Sequence, residues 1–378
     1  MTDSNTDKET GLEDTFVAVC DERIKSQLGP LHVPGCALAL IKDRTVSAFR
    51  AYGLADSEKG VPVTTETLFS LQSVSKSFAA WAVMRLVEAG KVDLDTPVSR
   101  YIRRWSLPPS DKYDLNLITP RRLLSHHAGI TNIGFRGVEP TQSRYTVVDA
   151  LNAGLPPPNE EQIRYYEEWK LEHDKPVCVD FPPGESWHYS NAGFGILELM
   201  IEDLTGIDYA DFVTDEILKP LGMEDSSFKH LPNKRYAVPY SKRGDRCIDY
   251  AWPSRAAAGL YASIADLAKF ACAEMVGPNG EPPGRGVLSP ASITTMFTAH
   301  GLADNAGGTQ FEAGLGHILL TSGGPMNVHH SGGSVGWRSI FSIFPETGSG
   351  ICMLMNGEGA NDMWIPLVRE WRTAQPAG

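Results

Sequence analysis

The sequence predicts an α+β protein: an antiparallel β-sheet flanked by helices and built from both chain ends, with a mainly helical subdomain inserted between. Three observations predict it. Strand-like segments occur near the N-terminus, at Cys36–Ile41 and Thr45–Tyr52, and then return only in the last third, at Gly316–Leu320, Asn327–His330, Trp337–Phe344 and Gly350–Asn356. The stretch between them carries helical periods and Pro-rich loops such as Leu155–Pro158 and Phe181–Gly184. A helix is expected at each end of the chain. The expected organisation is a disordered acidic tail over residues 1–11, a sheet domain over 12–68 plus 251–378, and a helical subdomain over 69–250, with the active site between the two.

The elements follow in order. From Leu12 to Leu28 the apolar residues recur at threes and fours, an amphipathic helix stopped by Gly29-Pro30. Lys42-Asp43-Arg44 is a short polar connection, which makes the first two strands a hairpin. Lys76–Ala89 is a long apolar helix with Gly90 where a C-terminal cap belongs. Further helices are expected at Arg121–Ser125, Ala192–Leu204, Tyr209–Ile217, Ala265–Met275 and Met363–Trp371. Residues 159–175, with Tyr165, Tyr166 and Trp169 among many charges, read as a solvated helix or a lid.

Composition narrows the function. The 378 residues are 42% hydrophobic and 21% charged, an ordinary globular balance, and no apolar run approaches the roughly 18 residues that a membrane span needs. A net charge of -12 argues against a phosphate-binding surface, so nucleic acid is not an expected partner. Met1–Thr15 has no apolar core of a secretory signal, and the six cysteines form no C-x-x-C pair. Free thiols and a cytoplasmic location are expected, with Cys36 a small core residue rather than a nucleophile.

Three segments can carry chemistry. Ser73-Val74-Ser75-Lys76 sets a hydroxyl and an amine three residues apart, on one face at the start of a helix whose dipole disfavours a lysine proton. A lysine of depressed pKa can take a serine proton, the Ser-Lys form of nucleophilic catalysis. The same spacing at Ser226–Lys229 is followed by His230-Leu231-Pro232 instead of a long helix, and is set aside. Tyr189-Ser190-Asn191 offers a phenol that can relay a proton and an amide that can hold a carbonyl. His330-Ser331-Gly332-Gly333 lies on or beside a strand, where small residues admit a substrate backbone, and is preferred to His127-Ala128-Gly129. Gly332–Gly336 also fits G-x-S-x-G, but a strand follows it and His330, the last histidine, precedes Ser334, so the nucleophile-elbow reading fails. Adjacent strand residues face opposite ways, so the pairs His126-His127 and His329-His330 are not metal sites. No metal and no cofactor are expected.

Taken in order, these three motifs resemble those of the penicillin-recognising serine hydrolases: class C β-lactamases, DD-peptidases, D-aminopeptidases and β-lactamase-like esterases. Leu123–Ile130, Pro220–Met223, Gly259–Ser263 and Asp266–Phe270 are phrases typical of that group. The likeness runs from about Val33 to the last helix and implies a β-lactamase/transpeptidase-like fold with a covalent acyl-enzyme mechanism. By that likeness Ser73 attacks a carbonyl, Lys76 and Tyr189 share the proton transfers, and Asn191 orients the substrate. By the same likeness the backbone N–H groups of Ser73 and Gly333 would form the oxyanion hole. His330, beside Ser331 and Gly332, stands where many relatives have lysine, which weakens any hold on a substrate carboxylate. Trp337 either lines the acyl pocket or packs as a core aromatic. The expectation is an intracellular serine hydrolase that cleaves a small or peptide-like ester or amide. A transacylase passing the acyl group to an amine or alcohol, a D-amino-acid peptidase or amidase, a β-lactamase and a silent scaffold are the alternatives. Oligomeric state is open.

Overall fold

A computed structural model describes residues 6–131, 136–169, 176–306 and 309–374, with side chains from Phe16 onward except at Trp169 and residues 304–306. Nine strands form one antiparallel sheet and two more form a short separate pair. The N-terminal strands are β1 (Gly35–Lys42), β2 (Thr45–Asp56) and β3 (Val61–Pro62); β4 (Phe69–Ser70) pairs with β5 (Tyr261–Ala262). The C-terminal strands are β6 (Leu302–Ala306), β7 (Thr309–Ala313), β8 (Ile318–Leu320), β9 (Asn327–Ser334), β10 (Trp337–Phe344) and β11 (Ser349–Met355). Their order across the large sheet is β3-β2-β1-β11-β10-β9-β8-β7-β6, so β1 pairs with β11 and joins the two ends of the chain. This is the predicted α+β architecture, one antiparallel sheet joined from both chain ends with helices packed against it.

The β1–β2 hairpin turns at Asp43 and Arg44, both at positive φ. All eight residues of β10 and all seven of β11 are buried, because helices cover both faces of the sheet centre. On one face α1 (Thr6–Gln27) and α11 (Asn361–Thr373) pack together, with Phe16, Cys20, Ile24, Met363, Leu367 and Trp371 forming a core layer. The helix expected from Leu12 therefore begins at Thr6, since extending a formed helix is far easier than nucleating one. The tail expected over residues 1–11 is thus helical from Thr6, and residues 1–5 lie outside the described part.

On the other face, a larger core gathers around α2 (Ser75–Glu88), eleven of whose residues are buried. The remaining helices are α3 (Pro120–Leu124), α4 (Val147–Leu151), α5 (Glu160–Trp169), α6 (Asn191–Thr205), α7 (Tyr209–Val213), α8 (Arg255–Ala258), α9 (Ile264–Ala273) and α10 (Pro290–Met296). Helix α2 contacts both α6 and α8, and α9 lies against β1 and β11. The helix expected over Tyr209–Ile217 changes pitch at Thr214: a π-turn spans Thr214–Leu218, with Lys219 N–H donating five residues back to Thr214 O. Thr214 Oγ1 donates to Ala210 O at 2.6 Å, a local bond that competes with the regular ladder. Strands β6 and β7 and helices α4 and α10 add to the predicted set. No described helix is long and apolar enough to cross a membrane. All six cysteines are free.

Candidate active site

Ser73 stands in a single 3-10 turn, Gln72–Val74, just ahead of α2. The turn is held from three sides. Leu71 N–H donates to Leu260 O at 2.8 Å, Ser339 Oγ on β10 donates to Leu71 O at 2.6 Å, and Gln72 Nε2 donates to Ser70 Oγ at 2.7 Å. These bonds keep Gln72 at φ 49°, a left-handed conformation that costs a non-glycine residue roughly 1–3 kcal/mol. The strain sits directly before Ser73.

One helical turn on, Lys76 is fully buried and its Nζ meets three oxygens: Ser73 Oγ at 2.9 Å, Asn191 Oδ1 at 2.8 Å and Ala257 O at 2.8 Å. Burial pushes the lysine well below its ordinary pKa. The faces of Tyr189 and Phe194, 5.0 and 5.5 Å away, favour the ammonium by about 0.5–2 kcal/mol. Dehydrating an ion costs several kcal/mol, so burial prevails. A neutral amine has two N–H donors and one lone pair. Asn191 Oδ1 and Ala257 O can only accept, so they take the two donors and leave the lone pair to the Ser73 hydroxyl.

Tyr189 and Asn191 flank Ser190, the N-cap of α6, whose Oγ accepts from Gly193 N–H at 3.1 Å. Ser190 is pinned in turn, its N–H donating to His126 Nδ1 at 3.0 Å and its Oγ–H to Thr131 O at 3.0 Å. The cap therefore fixes both neighbours. Tyr189 OH donates to Ser73 Oγ at 2.8 Å, and burial raises the phenol pKa, so it stays protonated.

Strand β9 forms the opposite wall. It pairs with β8 only as far as His329, leaving His330 to Ser334 as an open edge. A two-residue hairpin loop, Val335-Gly336, makes Ser334 and Trp337 a hydrogen-bonded pair, so Gly333 and Arg338 form the next, non-bonded pair. The N–H and C=O of Gly333 consequently point away from β10 and toward the site. Gly333 O accepts from Tyr165 OH on α5 at 3.3 Å. Gly332 brings β9 close: a Cβ there would stand 2.2 Å from Leu71 O and 2.9 Å from Ser73 N. His330 Nδ1 lies 2.8 Å from Ser331 O, and burial lowers its pKa well below the usual histidine range, so the ring is neutral.

The structure thus brings together Ser73, Lys76, Tyr189, Asn191, His330, Gly332 and Gly333. Ser331 is exposed beside a second cleft that also reaches Tyr189 and His330. Trp337 is the exception and corrects the acyl-pocket alternative. It is 2% exposed, packs edge-on to Phe69 and Tyr261, and donates from Nε1 to Asp249 Oδ1 at 3.2 Å. The cleft beside Ser73 is lined instead by Tyr165, Tyr166, Tyr250, Trp252 and Val335 around Ser73, Asn191 and Gly333, with no charged residue among its described lining.

Sequence reasoning missed several contributors. Ala257 acts through its carbonyl, which no side-chain pattern marks. Tyr165 was legible as an aromatic on a charged helix but not as a cover for β9. His126, ring centroid 4.3 Å from that of Tyr189, has its second nitrogen buried without a hydrogen-bond partner among the described residues. His127 bonds the backbone of Ser125 and does not line the cleft.

Comparison with known proteins agrees with this geometry. The Beta-lactamase family profile matches residues 20–370. Penicillin-binding protein 4 of Amycolatopsis lactamdurans is 30% identical over 349 residues, 90% of this chain and 85% of that one. Esterase EstB of Burkholderia gladioli is 33% identical over 192 residues, 50% of this chain and 46% of the esterase, so the chain spans less than half of that relative. The octameric penicillin-binding protein homologue of Pyrococcus abyssi superposes with a TM-score of 0.73 at 27% identity, over 94% of this chain and 76% of that one. A class C beta-lactamase gives 0.72 over 98% of each chain at 20% identity, a likeness of fold alone. A profile match over nearly the whole chain, and a relative 30% identical along most of its length, establish that this protein belongs to the Beta-lactamase family of serine hydrolases.

Proposed function

We propose that the protein hydrolyses neutral carboxylic esters through an acyl-enzyme on Ser73. The observation that carries this reading is the contact set of Lys76, whose lone pair is left for the Ser73 hydroxyl alone. Lys76 takes the serine proton as Oγ bonds to the ester carbonyl carbon, and the carbonyl electrons move to oxygen. That oxyanion is stabilised by the N–H groups of Ser73 and Gly333; losing one such donor typically costs about 3 kcal/mol of transition-state stabilisation. Collapse breaks the bond to the alkoxide, which leaves as the alcohol after receiving the lysine's proton by way of Tyr189. Water then repeats the sequence on the acyl group and frees Ser73, while Asn191 orients both substrate and lysine.

The preference for a neutral ester rests on the surroundings. The described cleft lining is uncharged, His330 is neutral, and Tyr165 already occupies the Gly333 carbonyl that an added peptide strand would use. An amine or alcohol can intercept the same acyl-enzyme, so transfer is a variant of this chemistry. The test is hydrolysis of p-nitrophenyl butyrate beside an acyl-D-Ala-D-Ala peptide, by wild type and Ser73→Ala. Ester turnover exceeding peptide cleavage, and lost in the variant, is expected; peptide cleavage without ester turnover would overturn the reading.

A further inference from the structure

Behind the aromatic wall of Tyr250 and Trp252, which also lines the catalytic cleft, lies an open cavity of about 550 Å³ that the chemistry at Ser73 does not use. Asp249 lines it. Both hydrogen bonds to this carboxylate fall on one oxygen: Tyr261 OH donates to Oδ1 at 2.6 Å and Trp337 Nε1 donates to Oδ1 at 3.2 Å. Oδ2 receives no hydrogen bond from the described residues. A purely structural acceptor here would not need a charge. The carbonyl of an asparagine would serve Tyr261 and Trp337 equally well, without the cost of dehydrating a carboxylate.

The same cavity is lined by the half-buried rings of Phe228, Tyr236, Trp252 and Tyr261, with Tyr236 and Tyr261 edge to face at 5.5 Å. Three basic side chains also reach the cavity. Arg255 spends its donors on Glu198, Glu202 and Asp208, and Lys229 is paired with Asp211 and lies near Asp208. His230 stacks on Tyr236 at 4.7 Å. Four carboxylates thus more than compensate the arginine and the lysine, and Asp249 forms no ion pair among the described residues. Aromatic faces around a lone anion are the chemistry that recognises an organic cation.

We propose that this cavity binds an organic ammonium group, its cation held between Asp249 Oδ2 and the faces of Tyr236, Tyr261 and Trp252. The site does not depend on the catalytic reading, since none of its residues takes part in the acyl transfer. Burial raises the Asp249 carboxyl to about 6 against the lowering effect of its two hydrogen bonds, so it is ionised at neutral pH.

Calorimetric titration with choline and with butylamine tests the proposal, using 3,3-dimethylbutan-1-ol as the uncharged counterpart of choline. At least one ammonium should bind saturably and at least tenfold more tightly than the alcohol, and Asp249→Asn should weaken it at least tenfold while retaining the wild-type circular dichroism. Equal binding of the alcohol, no binding of either ammonium, or unchanged affinity in Asp249→Asn would overturn it. Should that variant not fold, the contrast between choline and the alcohol in the wild type decides, together with Trp252→Leu, which should lose the ammonium affinity. Affinity should also fall between pH 7 and pH 5, as Asp249 gains a proton; the other titratable and charged side chains that line the cavity are Lys229, His230, Tyr236, Tyr250, Arg255 and Tyr261.

Discussion

Lys76 Nζ lies 2.9 Å from Ser73 Oγ, and its two other contacts are oxygens that cannot donate. Lys76 can serve as the base only when unprotonated, and full burial favours that form by lowering its pKa well below the ordinary value. Because the base must be free, kcat/KM for an ester should rise with pH through the lysine pKa and then level, with a midpoint well under the usual 10.4. Lys76→Met should remove that limb and lower kcat/KM about 10²–10⁴-fold. A pH–rate profile of the two proteins checks this. The same burial has a stability consequence: the unfolded lysine binds a proton that the folded one refuses. Folding stability from this group is therefore greatest above the unfolded pKa and declines as pH falls toward the folded pKa.

Gly332 is the point where β9 approaches the nucleophile. A Cβ would lie 2.2 Å from Leu71 O and 2.5 Å from Ser339 Oγ, and the first of these is backbone that cannot swing aside. Gly332→Ala should push β9 away from Ser73 and loosen the oxyanion site. The expected result is a folded protein whose kcat falls on the order of 10²-fold, the penalty of a 1 Å misplacement. Steady-state kinetics beside near-ultraviolet circular dichroism measure it, and unchanged kcat would contradict the placement of β9.

Tyr165 OH covers the Gly333 carbonyl from α5. Tyr165→Phe should free that acceptor for a substrate N–H. One hydrogen bond is worth about 1 kcal/mol, so acylation by an N-acyl-amino ester should improve about fivefold relative to a simple alkyl ester. The ratio of the two kcat/KM values is the measurement; an unchanged ratio would show that α5 does not guard the strand edge.

Much of this protein was legible because its local signals agree. Ser73 and Lys76 share a face at the head of an apolar helix, and Tyr189 and Asn191 bracket a serine cap, so residue type and spacing carry the geometry. The hairpin of β1 and β2 and the helix α11 were equally plain. What escaped has a physical reason in each case. Ala257 contributes a backbone carbonyl, which is the same in every residue. Strands β6 and β7 lie at the outer end of the sheet, where Leu302-Ala303-Asp304-Asn305-Ala306 need not alternate cleanly. Trp337 lies on a strand buried on both faces, so alternation could not say which way its ring points. The Asp249 cavity joins residues spread from Pro140 to Tyr261, a proximity that only the fold creates.

The central claim is that Ser73 carries the acyl group. Intact-protein mass spectrometry after brief mixing with p-nitrophenyl butyrate tests it most directly, with Ser73→Ala as the comparison. The account predicts a transient gain of one butyryl mass on the wild type, localised by digestion to the peptide containing Ser73 and absent from the variant. An adduct of the same mass surviving in Ser73→Ala would place the nucleophile elsewhere and contradict the mechanism.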